Sequence, residues 1–414
     1  MFDANSVYRT QLFPLPQRSE EDAFAPTTPK IMISPRLNAS YPITDQSVFK
    51  MNFGVYYQMP ELQYMFDGTN LVSRNINSPV IGNPNIEPQR SNKYEVAYSS
   101  AITEDFALDI SAYYNDIYNQ LGYSFVADAD PYFLAEVGQY GTNKGLEIDL
   151  RKRIRDNFGF RLAYTLGSVN GTSNSAVSTT SIQRDPITNL PALPLATFRL
   201  ARDITHRLTT TLNFAWNDEE GPAISGIHFL ENAYVTFTGN LSSGSPYTLT
   251  EVNGLGQLSE INALEGPASW QIDSRIGKEF KLSDIFGEGM GNSSIELYVD
   301  IFNLTNRTAA TGVYGGTQSS LNDGTLDLVS LGNFSPNTYF EKGNPAVAAS
   351  YNVNQYNPFG ERIYYIAADN DRNGIVTREE QFENYYNAQN ELVYKNKPLF
   401  QTPRRIFFGA VIRF

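Results

Sequence analysis

The chain has 414 residues, a formal net charge of −13 at pH 7 and 41% hydrophobic residues, and it contains no run of the roughly 18 to 20 apolar residues that a transmembrane helix requires. The acidic balance argues against a nucleic-acid-binding protein, because such proteins concentrate Lys and Arg against phosphates. With no cysteine and only His206 and His228, disulfides, thiol catalysis, Cys-ligated zinc and multi-histidine metal centres are excluded.

Residues 1–30 lack any alternating pattern. Pro14, Pro16, Pro26 and Pro29 stand among polar residues, which indicates a loop. The start of the chain has neither the basic residues nor the apolar stretch of a secretory signal, so we expect any export signal to lie outside this chain.

Three pairs of segments then repeat one design, in which apolar side chains alternate with polar ones on both sides of a short turn. Phe49, Met51 and Phe53, for example, alternate with Lys50 and Asn52. This alternation predicts β-strands with one apolar face, and the short turns predict hairpins. The predicted hairpins are 31–41 with 47–58, 93–101 with 106–117, and 144–153 with 158–166.

The connections between these hairpins are long and polar, at 59–90, 119–143 and 169–194. Connections that are alternately short and long place all the short turns at one end, which is the asymmetry of outer-membrane barrels. A soluble β-sandwich is the alternative, but it has no reason to keep this alternation, and structureless loops of this length are uncommon in compact domains. The pattern therefore favours an all-β protein, a transmembrane antiparallel β-barrel with long extracellular loops and short periplasmic turns.

The second half of the chain continues the alternation to its last residue. Residues 195–217 fit either a hairpin about 203–205 or one long strand, and counting back from the C-terminus favours a single crossing. The other predicted strands are 231–243, 270–282, 294–304 and the closing strand 404–414. About eleven strands result, and since bacterial barrels usually have an even number, we expect a partial barrel that is completed by strands outside this chain.

One stretch carries recognisable ligand chemistry. Residues 369–380 fit the calcium loop D-x-D-x-N-G-x-x-x-x-x-E at every ligand position, with Gly374 at the sharp turn. The alternative is a polar turn that binds no metal. We expect a structural Ca²⁺ that stiffens a long extracellular loop and takes no part in chemistry. Its predicted ligands are Asp369, Asp371, Asn373, Ile375 through its carbonyl, Thr377 and Glu380.

Other polar residues offer weaker signals. The adjacent acids Glu219 and Glu220 suit a solvated turn better than acid–base catalysis. The charged residues on the lumen-facing side of the strands are expected to form a network on the barrel wall that holds a plug domain, rather than a substrate site. These residues are Arg161, Asp273, Arg275 and Asp300. No combination of nucleophile, base and orienting group is visible, so we do not expect an enzyme.

A set of short motifs, in this order along nearly the whole chain, resembles the C-terminal part of TonB-dependent outer-membrane receptors. The resemblance is strongest to the subgroup that carries a carboxypeptidase-regulatory-like domain at the N-terminus. The motifs are 33–37 (ISPRL), 40–45 (SYPITD), 56–61 (YYQMPE), 83–88 (NPNIEP) leading to 94–95, 113–117 (YYNDI), 141–147 (GTNKGLE), 243–247 (SGSPY), 302–307 (FNLTNR) and 403–414.

The resemblance implies a barrel of about 22 strands with a plugged lumen, of which this chain supplies about eleven. It also implies that the barrel is energised through a periplasmic contact with TonB and that Phe414 aids assembly into the cell outer membrane. The chain departs from the family pattern because it contains no plug domain, no TonB-contacting segment and no signal. By itself, therefore, it is not expected to transport.

The predicted function is that of the C-terminal half-barrel of a TonB-dependent receptor, which captures a large nutrient (oligosaccharide, peptide or siderophore) and imports it. The alternative is a structural or adhesive surface barrel with a calcium-stabilised loop and no transport. The expected partners are outer-membrane lipid, the missing N-terminal barrel half with its plug domain, and TonB, which would bind through that missing part. A surface lipoprotein is a further candidate, and nucleic acid is not expected. The predicted regions are an extracellular loop segment at 1–30, barrel strands at 31–306, a calcium-binding extracellular loop at 307–403 and the closing strand at 404–414.

Overall fold

A computed structural model of the chain describes residues 6–8, 24–26, 28–66, 80–126, 132–174, 196–224, 226–252, 256–287, 293–324, 350–352, 370–372, 375–391 and 399–414. Its strands are β1 Ser6–Tyr8, β2 Phe24–Pro26, β3 Arg36–Thr44, β4 Ser47–Gln58, β5 Val80–Ile81, β6 Gln89–Ala101, β7 Phe106–Val126, β8 Tyr132–Arg155, β9 Phe158–Gly171, β10 Phe198–Arg199, β11 His206–Ala215, β12 Ala223–Ile224, β13 Ile227–His228, β14 Ala233–Ser242, β15 Pro246–Tyr247, β16 Leu264–Glu265, β17 Ser269–Lys281, β18 Ser294–Phe302, β19 Ser350–Asn352, β20 Ile375–Thr377 and β21 Arg405–Arg413. The helices are α1 Leu62–Phe66, α2 Leu282–Phe286 and α3 Arg378–Gln389.

In the described part of the chain, eleven strands form the antiparallel main path of one sheet, in chain order, and the short strands β5 and β10 pair with it off this path. The order is β3-β4-β6-β7-β8-β9-β11-β14-β17-β18-β21, so that β3 and β21 are its two edges. The fold is thus a partial antiparallel barrel wall, and its eleven strands match the predicted number. Almost every residue of both edge strands is exposed.

The structure differs from the predicted strand boundaries at two places. The single crossing predicted for 195–217 is present, but it is interrupted: Phe198 and Arg199 pair with the end of β9 as the short strand β10, and β11 continues along β9 in the same direction from His206. The connection predicted at 119–143 is largely strand, since the ladder between β7 and β8 continues past an irregularity near Asn119, whose φ is 55°. With 21 and 24 residues, β7 and β8 far exceed the roughly 9 to 11 needed to cross a bilayer.

The strand register gathers the apolar side chains into rows on one face of the sheet, which we call the apolar face. Leu37 pairs with Phe53, and Val299 pairs with Ile276 on one side and Phe408 on the other. These side chains are not covered by protein: Leu37 is 68% exposed and Phe408 81% exposed. A broad exposed apolar face on an antiparallel sheet is the arrangement that lipid requires.

One end of the sheet carries compact turns. At the turn between β8 and β9, Asp156 and Asn157 have φ of 54° and 65°, the left-handed pair that a tight hairpin turn requires and that Asp and Asn tolerate best. The turn between β3 and β4 spans only residues 45 and 46. The short predicted turns are therefore confirmed at this end.

Opposite these turns, part of the connection predicted at 59–90 packs on the β7–β8 extension. Ile86, Tyr123 and Ala135 form a buried cluster, and β5 adds a short parallel pairing to β8. Apolar burial thus stabilises a segment that the sequence predicted only as a polar loop. The partly buried residues around this cluster are Tyr64, Met65, Leu121, Phe133 and Val137.

The chain divides into two compact units. The first comprises 1–246, 268–307 and 403–414 and contains the sheet; the second comprises 247–267 and 308–402. Within the second unit, β19 pairs with β20, and α3 follows β20 directly. Among the residues described, no helix is both long and apolar enough to cross a membrane.

Candidate functional site

The polar face of the sheet, opposite the apolar face, carries charged side chains that pair across neighbouring strands. Arg275 of β17 and Asp300 of β18 are directly opposite in the register. Arg275 Nε donates to Asp300 Oδ1 at 2.5 Å and Arg275 Nη2 donates to Oδ2 at 2.6 Å. This two-point pairing fixes the guanidinium plane, which also lies 4.7 Å from the ring centre of Tyr298.

A second group on this face is centred on Glu296. Its carboxylate accepts hydrogen bonds from Tyr234 Oη at 2.6 Å and from Arg413 Nη2 at 2.5 Å. Arg413 also lies 3.3 Å from Glu279. Side chains of β14, β17, β18 and β21 therefore form one connected group, which joins the end of the chain to the strands that precede it.

A third group lies on β7, β8 and β9. Arg161 donates to Asp149 at 2.6 Å, and Arg151 pairs with Asp109. Arg151 and Arg161 are opposite each other in the register, so each guanidinium needs its own carboxylate to offset the like charge beside it. The polar face is therefore a row of alternating charges rather than a concentration of one sign.

Of the four wall residues predicted from the sequence, three take part in these pairs. Asp273 has a different role, because its carboxylate accepts the backbone N–H of Asn303 at 2.8 Å and Gln271 Nε2 at 2.6 Å. It thus holds the turn that follows β18. The partners that sequence reasoning did not single out are Asp109, Asp149, Arg151, Tyr234 and Arg413.

Carboxylates at the compact-turn end are held ionised by their partners. The hydrogen bond from Arg155, with a second from Arg153, keeps the pKa of Asp105 below its ordinary value. A hydrogen bond from Lys281 likewise lowers the pKa of Asp218. Asp218 and the arginines that pair with Asp105 are exposed, although Asp105 itself is partly buried, so these pairs order the turns and add little to overall stability.

Glu220 has a structural role in the turn after β11. Its carboxylate accepts the backbone N–H of Asn217 at 2.8 Å and the side-chain amide of Asn157 at 2.7 Å. The backbone N–H of Asn217 is the main cause of the lowered pKa of Glu220. Neighbouring Glu219 occupies a left-handed position with φ of 58°. The solvated-turn interpretation of this acid pair therefore fits the structure.

Aromatic side chains in the connections predicted at 59–90 and 119–143 are used for packing. Tyr123 is 8% exposed inside the buried cluster, and its ring centre lies 6.4 Å from that of Tyr64. Tyr314, in the second unit, is partly exposed, and burial raises its pKa.

The predicted calcium loop is described only in part. Asp369 and Asn373 lie outside the described residues, as do the side chains of Ile375 and Thr377. Glu380 is 9% exposed, and its Oε1 accepts the backbone N–H of Asn370 at 2.9 Å and of Asp371 at 3.3 Å. Within the part of the chain that the structure describes, no group of three or more His, Cys, Asp or Glu is placed to hold a metal.

The polar face offers hydrogen-bonding groups rather than a poised acid or base. Its carboxylates are already matched by guanidinium and phenol groups at hydrogen-bond distance. Such paired groups suit hydrogen bonding to a polar segment or solute, whereas acid–base catalysis needs a group poised to exchange a proton.

Comparison with known families gives one match. Residues 27–304 match the family described as TonB dependent receptor-like, beta-barrel. A comparison with curated proteins found no match.

Several solved structures are similar to part of the chain. FpvA of P. aeruginosa, bound to heterologous pyoverdines, is 12% identical with a TM-score of 0.42, over 70% of this chain and 32% of its own. The outer membrane transporter YddB from Escherichia coli is 10% identical with a TM-score of 0.47, over 68% and 38%. The FrpB iron transporter from Neisseria meningitidis is 11% identical with a TM-score of 0.46, over 67% and 36%. The chain thus spans only about a third of the length of these structures.

Proposed function

Because the chain belongs to the TonB-dependent receptor β-barrel family of the cell outer membrane, we propose that it forms the C-terminal half-barrel of a receptor that captures a large nutrient and imports it with energy supplied through TonB. The family is one of receptors and not of enzymes. The proposed nutrient is an oligosaccharide, a peptide or a siderophore.

The observation that carries this proposal is the open sheet with two edges. Among the described residues, β3 and β21 each have a neighbouring strand on one side only, while their apolar side chains face outward with those of the other strands. An unpaired backbone N–H or C=O in hydrocarbon costs several kcal/mol. Further strands must therefore complete the wall, and we propose that a segment outside this chain supplies them together with a plug domain.

The charge pairs on the polar face support the proposal that a plug domain fills the lumen. Arg275 with Asp300, and Glu296 with Arg413, present fixed donors and acceptors of both signs to the lumen. A removable domain binds better to such a surface than to a uniformly charged or apolar one, because polar groups on both sides can find partners in water and in the complex. A surface lipoprotein stays a predicted partner of the receptor.

The test is uptake by the bacterium that carries this gene. We expect deletion of the gene to abolish growth on one class of large nutrient, and deletion of TonB to abolish the same growth. Complementation with the complete gene is the control. Uptake that persists without TonB would contradict the proposal, and loss of surface attachment with normal uptake would favour the structural or adhesive barrel.

We also propose that residues 369–380 bind a structural Ca²⁺. Support comes from the full set of ligand types at the required spacing and from Glu380, whose carboxylate reaches back to the amides of Asn370 and Asp371 at the start of the loop. The three residues of β20 form a short strand in the middle of the motif, and α3 begins two residues before Glu380. The ion would join the two ends of a loop in the second unit and supply no chemistry to transport.

A further inference from the structure

Two arginines stand at the border of the apolar face, at the end of the sheet opposite the compact turns. Trp270 is the outermost aromatic of the apolar row on β17, and the Arg307 guanidinium lies 4.3 Å from the Trp270 ring centre. Arg404 directly precedes β21, next to the same corner of the sheet. We call Arg307 and Arg404 the border arginines.

The turn after β18 fixes the position of Arg307. Asn303 is 1% exposed, its Oδ1 accepts the backbone N–H of Arg307 at 2.9 Å, and its Nδ2 donates to the Arg307 carbonyl at 2.9 Å. Asp273 holds the Asn303 backbone in turn. Both ends of the Asn303 side-chain amide are thus hydrogen-bonded to the Arg307 backbone, and these bonds hold that backbone beside the Trp270 indole.

The same turn positions the second arginine. The Asn306 side chain accepts the backbone N–H of Arg404 at 3.0 Å, and Arg404 Nη1 approaches the carbonyl of Leu304 at 3.4 Å. Asn303 and Asn306 have φ of 53° and 50°, so the backbone bends sharply at both positions and brings the two arginines to one border.

Neither border arginine has a carboxylate within ion-pair distance among the described residues. Arg307 Nη1 is buried without a hydrogen-bond acceptor among the described residues, so it is the exposed part of Arg307, together with exposed Arg404, that can meet an anion. In contrast, Arg275 and Arg413 on the polar face are both matched by acids. The two charges at the lipid border are thus left for an anion from outside the protein.

We propose that the border arginines bind the phosphate of an anionic lipid headgroup in the outer leaflet of the membrane. Lipid is the medium that the apolar face contacts, and its headgroups begin where the apolar row ends, at the level of Trp270. A planar guanidinium matches two phosphate oxygens, and stacking on an aromatic ring keeps it oriented. The site lies outside the lumen, so it goes beyond the proposed transport function.

The test compares lipid binding by the receptor purified as the complete protein. Native mass spectrometry and vesicle titration would use phosphatidylcholine alone, phosphatidylcholine with phosphatidylglycerol, and phosphatidylcholine with a phosphorylated lipid A. A basic residue near an anionic membrane surface contributes about fivefold in affinity. We therefore expect the double variant R307Q/R404Q to bind the two phosphate-bearing lipids roughly 30-fold more weakly than the unmodified receptor.

Arg405→Gln is the matched control, because it removes the same charge one residue away on the opposite face, where Arg405 lies over the Phe302 ring. This variant should bind all three lipids like the unmodified receptor. The affinity of Arg307→Lys for the phosphate-bearing lipids should lie between that of the unmodified receptor and that of R307Q/R404Q. Equal binding by R307Q/R404Q and R405Q would overturn the proposal, as would binding that ignores the lipid phosphate. A heat-modifiability assay on gels would establish that each variant is folded.

Discussion

At the scale of single residues, the polar face is shaped by tyrosine rings that lie over glycines on the neighbouring strand. Tyr234 is opposite Gly277, and Tyr298 is opposite Gly409. A Cβ atom on Gly277 would stand 2.5 Å from Tyr234 Cζ, and one on Gly409 would stand 2.2 Å from Tyr298 Cζ. The missing side chain is therefore what allows each ring to lie against the wall and place its hydroxyl near the charged groups.

We expect Gly277→Ala to destabilise the protein by about 1–3 kcal/mol, as overpacking usually does. The Tyr234 ring cannot swing aside without losing the hydrogen bond from its Oη to Glu296. Gly239→Ala is the control, because a Cβ there meets only a carbonyl oxygen at 3.9 Å. The urea midpoint of the complete receptor in vesicles measures the effect, and equal midpoints for the two variants would contradict this account.

At the scale of elements, the decisive feature of the second unit is the junction of loop and helix at Glu380. This carboxylate is almost fully enclosed and bonded to two backbone amides. In a calcium loop the same position supplies two oxygens to the ion. The hydrogen bonds to these amides therefore bring the two ends of the loop together, and a bound Ca²⁺ would hold them together more strongly through its charge.

We expect Ca²⁺ to protect residues 369–391 from proteolysis in the complete receptor, and Glu380→Gln to weaken binding at least tenfold, because a neutral amide cannot replace a carboxylate that supplies both oxygens to the ion. Terbium luminescence, sensitised by Tyr385 and Tyr386 on α3, measures the binding directly. Glu379→Gln is the matched control, since its side chain is the exposed neighbour outside the ligand positions. Calcium affinity that is equal in both variants would refute the site.

At the scale of the whole molecule, the two faces of the sheet have opposite requirements. Leu297, near the middle of β18, is 48% exposed on the apolar face, whereas Thr238 on β14 is opposite Asp273 on the polar face. A charge is costly in lipid but is readily accommodated beside an acid in a wet lumen. The same substitution should therefore have different effects on the two faces.

We expect Leu297→Arg to destabilise the folded receptor by about 2–4 kcal/mol if its side chain sits near the bilayer midplane. Thr238→Arg should have little effect, because its new charge lies next to Asp273 in the register. Urea midpoints in lipid vesicles measure both. A tolerated Leu297→Arg together with a damaging Thr238→Arg would reverse the assignment of the two faces.

Strand positions were predictable because side-chain alternation is a local property of the sequence. Phe49, Met51 and Phe53 reveal one apolar face without knowledge of any partner. The extension of β7 and β8 was not predictable in the same way. Residues 119–143 contain turn-forming and polar residues. The described parts of this stretch, 119–126 and 132–143, become strand because each of the two extensions supplies the other's hydrogen bonds across an irregular ladder.

The sequence by itself determined that the chain is a membrane β-sheet with alternating short and long connections, since period and spacing are carried by neighbouring residues. Only the tertiary structure decided which charges pair, because the bond between Tyr234 and Glu296 joins residues 62 positions apart and depends on the register of two strand pairs. It also decided that Tyr64 and Tyr123 pack together in the first unit. Burial is a property of what surrounds a side chain, and the sequence around a single residue does not contain it.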